Sequence, residues 1–280
     1  MQYAQHHVSA RQTPMPSPVF HAERAMPCPL PVPAAPVAVP HLALRQYGAG
    51  NYDRQPSGLW PGIQVADRCL SVRREGGGDY GDVLQRSGGT VGLVMADVAG
   101  HDAEAARIAD SVRNTLRTHA YRHLTPAVVA TLMNCSLHQE WVRTERFVTM
   151  LYAMYAPQTN ILRYANAGHH PLILVRNGVC RLLSTGDMLL GVVDTATFTE
   201  GEVTLRHGDV LVAYTDGIIE ARNAGGTMFG VERLCRIVRA NAGTLSPGEL
   251  LDAVYAEIIR HTGSVERNDD QTMLVMKVTA

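Results

Sequence analysis

Four aspartates in this 280-residue chain stand where a carboxylate has chemical use. Asp79 lies in the glycine-rich stretch "EGGGDYGD", and Asp97 closes the apolar run "TVGLVMADV". Asp216 closes "VLVAYTDG", and Asp269, followed by Asp270, precedes "QTMLVM". Each sits at the margin of an apolar element, where the backbone is held but water or a ligand can enter. Taken singly, an aspartate in such a place is also what a helix cap or a turn requires. Four at comparable strand ends are harder to dismiss. Gathered carboxylates raise one another's pKa and stay ionised together only beside a cation. Hard oxygen donors, without cysteine or converging histidine, suit Mg²⁺ or Mn²⁺. Two such ions sharing a bridging water would lower its pKa and aim it at phosphorus, while neutralising the phosphoryl oxygens. The motifs G-x-S-x-G, H-E-x-x-H and G-x-x-x-x-G-K-[ST] do not occur.

The elements that must position these groups follow from periodicity. Residues 63–72 and 90–98 read as strands. Residues 102–124 place Ala105, Ala109, Val112 and Leu116 at helical spacing, and Pro126 opens a second helix. Residues 146–168 read as a hairpin around Pro-Gln-Thr-Asn, and 171–183 as another around Asn177-Gly178, a pair suited to a type I′ turn. A strand begins at 208, helices follow near 231–241 and 246–261, and 271–280 is a closing strand. Hairpins predict largely antiparallel sheets, and the two helix pairs each need a sheet face to cover. The expected class is α+β, with two packed antiparallel sheets and helices outside them.

Composition narrows the function. With 25 basic and 26 acidic residues the chain has no basic surplus for a nucleic acid. Five widely spaced cysteines, with no C-x-x-C, fit a reduced cytoplasmic setting better than a zinc site or a disulfide framework. Residues 25–44 carry no Asp, Glu, Lys or Arg, yet six of them are proline, which excludes a membrane helix. No signal peptide is evident. Residues 1–50 are expected to be a disordered, proline-rich tail, too short and proline-rich for a folded sensor, and 51–280 the catalytic domain.

The order "GGDY-GD", "ADVAGHDAEAA", "NAGHHPLIL", "YTDGIIEARN" and "NDDQTMLVM" resembles the SpoIIE/RsbU-type branch of the metal-dependent protein serine/threonine phosphatases (PPM), over about residues 60–280. The resemblance implies an α/β/β/α sandwich with a centre of two Mn²⁺ or Mg²⁺ ions at one edge, where a metal-bridging water or hydroxide attacks phosphorus. It assigns Asp79, Asp97, Asp216 and Asp269 as catalytic metal ligands, Asp97 touching both ions, with the Val98 carbonyl as a main-chain ligand. Asp82 and Asp270 fall at positions around those ligands, and Asp102, which the family pattern does not supply, is a candidate for an added outer ligand. The implied substrate is phosphoserine or phosphothreonine on a STAS-domain anti-sigma-factor antagonist. The implied role is signal transduction by partner switching, opposing a switching kinase or anti-sigma factor. The alternative is an inactive PPM-fold module that only binds partners.

Three positions depart from the family pattern. Gly81 stands where an aromatic residue is usual. Asp102 stands where Gly is usual, as helix N-cap or as an outer ligand. Ala99 stands where eukaryotic relatives carry a histidine acid, and His101 does not take over that role. His169 and His170 are read as shaping a turn beside the site. Arg73 and Arg74, ahead of the Asp79 loop, reach either a phosphate or solvent.

Overall fold

The computed structural model describes residues 52–54, 60, 62–73, 76–120 and 124–280. The expected tail, residues 1–50, and Arg74 lie outside the described residues. In chain order the elements are β1 (Tyr52–Arg54), β2 (Ile63–Leu70), β3 (Asp79–Gln85), β4 (Val91–Val98), α1 (Ala103–Ala120), α2 (Pro126–Thr144), β5 (Val148–Ala156) and β6 (Ile161–Ala167). Then follow β7 (Leu172–Arg176), β8 (Val179–Leu183), β9 (Gly201–Thr204), β10 (Val210–Tyr214), α3 (Asp216–Ile219), α4 (Val231–Asn241), α5 (Pro247–Thr262) and β11 (Gln271–Val278).

The strands form two sheets, one ordered β1-β2-β11-β10-β7-β8 and the other β3-β4-β5-β6-β9. Every pairing between these strands is antiparallel. The alternation of side chains along a strand sorts the core into three layers. Leu93 and Met95 of β4 meet Leu211 and Ala213 of β10 and Leu274 and Met276 of β11 between the sheets. Val94, Ala96 and Val98 face outward to Ile108, Val112 and Leu116 of α1 and Met133 of α2. Val212, Tyr214 and Val275 face outward to Leu234 and Val238 of α4 and Leu250 and Val254 of α5. The molecule is the expected α/β/β/α sandwich.

Local chemistry explains the boundaries. Asn177 and Gly178 both take positive φ, 50° and 71°, as a type I′ hairpin demands. At α5, Ser246 accepts from the Glu249 amide while the Glu249 carboxylate accepts from the Ser246 amide, a capping box ahead of Pro247. Two strands run against local propensity. β3 begins in a glycine-rich stretch that reads as a turn, and short β9 has no apolar run of its own. Both are strands because a neighbour, β4 or β6, supplies the ladder. Among the described residues no helix is long and apolar enough to cross a membrane.

Candidate metal centre

The inner faces of both sheets turn from apolar to acidic at one end of the sandwich. On β4 the inward sequence Leu93, Met95 continues to Asp97, and the register sets Asp97 directly opposite Asp79 at the start of β3. On β10 the inward sequence Leu211, Ala213 continues to Thr215, and Asp216 follows as the first residue of α3. On β11 the inward Met276 and Leu274 lead back to Thr272, just after Asp269 and Asp270. Thr215 joins the sheets here: its hydroxyl donates to Asp79 Oδ2 at 2.8 Å and accepts from the Thr272 amide at 3.0 Å. Asp79 and Asp97 thus come from one sheet, and Asp216 and Asp269 from the other.

The carboxylates register one another's charge. Burial and then the charge of Asp97 hold Asp79 well above the ordinary carboxylate range, against hydrogen bonds from Thr272 and Thr215. Asp97 is pushed up to about 7, chiefly by burial and then by Asp216, Asp269 and Asp270. Asp216 is raised by burial and Glu220, and Asp269 by burial and then by Asp216 and Asp270. Among the described residues, no three His, Cys, Asp or Glu side chains are drawn together tightly enough to enclose an ion. The donor chemistry nonetheless fits hard divalent cations: oxygen groups whose proton affinity is raised by burial and by neighbouring negative charge are what a cation relieves. Asp79, Asp97, Asp216 and Asp269 are the carboxylates at this end of the sandwich that could serve as such donors, with the Val98 carbonyl beside Gly78.

The remaining acidic residues have other partners. Asp270 is buried, and its carboxylate accepts from the amides of Val72, at 2.7 Å, and Gly78, at 2.8 Å, clamping the loop that delivers Asp79. This contact explains Gly77, and the approach of the β4 end explains Gly78. A Cβ on Gly77 would lie 1.8 Å from Asp270 Oδ2, and one on Gly78 only 2.4 Å from the Val98 carbonyl oxygen. Asp82, three residues along β3 from Asp79, points to the opposite face. There it accepts from Tyr80 Oη at 2.7 Å and from Arg117 Nε and Nη2 of α1 at 3.0 and 2.6 Å. Asp102 caps α1: its Oδ1 accepts from the Ala105 amide at 2.9 Å and its Oδ2 from Arg146 at 2.7 Å. Those bonds lower its pKa, the Ala105 amide first and then Arg146. Gly81 is buried in β3 opposite Met95.

His169 is a tie between the sheets. Its Nε2 lies 3.1 Å from the Tyr214 carbonyl, an acceptor only, so this nitrogen carries the proton. Nδ1 therefore accepts from the Thr149 hydroxyl at 2.7 Å, and Thr149 is the register partner of Asp97. Burial, and then His170, depress the ring's pKa to about 3 and keep it neutral. His170 stacks on Tyr214, and its charge opposes the rise at Asp216. His101 is exposed in the bend before α1. Arg73 is exposed beside the Gly76–Gly78 loop. Sequence reasoning gave no role to Thr215, Thr272 or Arg146. The first two were legible as inward positions one step beyond an apolar alternation, whereas Arg146 carries no local signal.

Comparison with known proteins fixes the family. The sequence signature described as "Stage II sporulation protein E (SpoIIE)" matches residues 87–279. The chain belongs to the SpoIIE family. It is 28% identical over 155 residues to protein IcfG of Synechocystis, covering 53% of this chain and 24% of IcfG. To the phosphoserine phosphatase RsbU of Bacillus subtilis it is 23% identical over 190 residues, covering 67% of this chain and 56% of RsbU. The chain therefore spans a quarter of one relative and just over half of the other. Among solved structures, the RsbU and RsbW domains of Rv1364c from Mycobacterium tuberculosis superpose with a TM-score of 0.70 at 26% identity, over 83% of this chain and 63% of that one. The catalytic domain of the serine/threonine phosphatase PstP, solved with 2 manganese ions, superposes with a TM-score of 0.58 at 15% identity, over 78% of this chain and 99% of that one. SpoIIE-family membership and these neighbours confirm the SpoIIE/RsbU-type PPM resemblance and the sandwich.

Proposed function

We propose that this SpoIIE-family chain hydrolyses phosphoserine or phosphothreonine on a bacterial regulatory protein, using two Mn²⁺ or Mg²⁺ ions held by Asp79, Asp97, Asp216, Asp269 and the Val98 carbonyl. The observation that carries the reading is the convergence of four raised-pKa aspartates from both sheets at one end of the sandwich. When bound, the cations supply Lewis acidity that activates water and neutralises the phosphoryl oxygens. The protein's own contribution is positional. Asp270 and the glycines of the Asp79 loop fix one pair of ligands against the other, and His169 with Thr215 holds the two sheets in register.

The proposed substrate is a small STAS-domain anti-sigma-factor antagonist, so that the enzyme reverses a switching kinase in the cytoplasm. In support, RsbU is named a phosphoserine phosphatase, and the Mycobacterium neighbour joins an RsbU to an RsbW domain. The test is phosphate release from a phosphoserine STAS protein with Mn²⁺, comparing wild type, Asp97→Asn and wild type in EDTA. Release by wild type with Mn²⁺ alone is expected. Equal release from all three would sink the metal-centre assignment. No release together with no Mn²⁺ uptake would instead mark a partner-binding module.

A further inference from the structure

The turn that carries β4 into α1 is fastened from outside by one guanidinium. Arg146 lies in the segment leading into β5. Its Nη1 donates to the Ala99 carbonyl and its Nη2 to Asp102 Oδ2, each at 2.7 Å, and its Nε stands 3.8 Å from the Glu104 carboxylate. The Arg146 side chain is only 20% exposed. On the other side of the same residue, the Ala99 amide donates to the Phe147 carbonyl at 2.9 Å. Gly100 completes the fit, since φ there is +98° and a Cβ would lie 2.4 Å from Arg146 Nη1.

These bonds bear on the site through backbone planarity. The Ala99 amide shares a peptide plane with the Val98 carbonyl, and the Ala99 carbonyl sits in the next plane. Holding both planes leaves the Val98 oxygen one direction, the one that faces Gly78. We propose that Arg146, through the Ala99 carbonyl and Asp102, is a positioning residue that aims the Val98 carbonyl and Asp97 at the cations. The proposal rests on the phosphatase reading above and gives Asp102, found where the family pattern has Gly, a purpose beyond capping.

The experiment is Mn²⁺ titration of the full chain by calorimetry, with the thermal midpoint in EDTA measured beside it. Arg146→Met is expected to weaken Mn²⁺ binding about tenfold or more, the usual effect of losing a group that orients metal ligands, with a midpoint near wild type. Arg146→Lys recovers only part of the affinity, because an ammonium does not span both oxygens as the planar fork does. Asp102→Asn keeps a capping oxygen but loses the ion pair, so it weakens binding less, and combining it with Arg146→Met gives less than the sum of the two effects. Should the methionine variant fail to fold, the lysine variant decides in the same way. Wild-type affinity in the Arg146 variants, or a lowered midpoint with affinity intact, would overturn the proposal alone. Wild-type protein that takes up no Mn²⁺ would overturn it together with the phosphatase reading.

Discussion

Replacing Asp97 with asparagine should stabilise the metal-free protein. The folded-state pKa of Asp97 is about 7 against an ordinary 3.8, because burial and the charges of Asp216, Asp269 and Asp270 disfavour its ionised form. A carboxylate raised on folding contributes stability that is complete below its unfolded value and is lost as pH rises through its folded value. The window is therefore roughly pH 4 to 7. Each tenfold change in proton affinity is worth about 1.4 kcal/mol, so the loss by pH 8 approaches ~4 kcal/mol, or roughly 2 after allowing for solvent around a partly exposed group. Asparagine keeps the shape without the charge. In EDTA at pH 8 the variant should gain about 2–4 kcal/mol over wild type in urea unfolding, and the gap should close towards pH 4. Millimolar Mn²⁺ should reverse the order, because wild type gains by mass action and the variant loses a ligand. A variant less stable than wild type in EDTA at pH 8, or a gap independent of pH, would refute the idea that these carboxylates strain the empty fold.

Three further outcomes separate the proposed metal ligands from their supports. Gly78→Ala would drive a Cβ into the Val98 and Gly100 carbonyls, at 2.4 and 2.6 Å, so a loss of about 3 kcal/mol on thermal unfolding should accompany weaker Mn²⁺ uptake. Asp82→Asn removes the charge that Arg117 pairs with on the far face of β3; unfolding should be easier by about 2–4 kcal/mol while calorimetric Mn²⁺ affinity stays at the wild-type value. Ser246→Ala deletes one half of the α5 capping box and should cost about 1 kcal/mol in urea unfolding, with phosphate release unaltered.

What could be read from the chain depended on how local its cause was. Asn177-Gly178 announced a hairpin because few other residue pairs tolerate two positive φ angles in succession. Asp97 and Asp216 were visible because an apolar run stops at each. β3 was not visible: glycine and aspartate disfavour strands, and only pairing with β4 makes one. Missing that strand also hid the parity that separates Asp79 from Asp82, which share a motif but point to opposite faces. The role of Asp102 turned on Arg146, 44 residues away, and no sequence period links the two. His169 read as a turn former, yet its ring spans from Thr149 to Tyr214, contacts that exist only once both sheets are stacked.

The position of β11 has a consequence for how the molecule comes together. The final strand is not an edge: it lies between β2 and β10, pairing with β2 along its whole length across some two hundred residues of intervening chain. A chain extended only as far as α5 leaves β2 and β10 facing each other across an open slot, with both ladders unpaired and Asp269 yet to be placed. Contacts so distant in sequence close slowly. The proposed centre is therefore complete only once β11 has docked, and a product cut short before Gln271 would leave β2 and β10 with two unpaired, sticky edges.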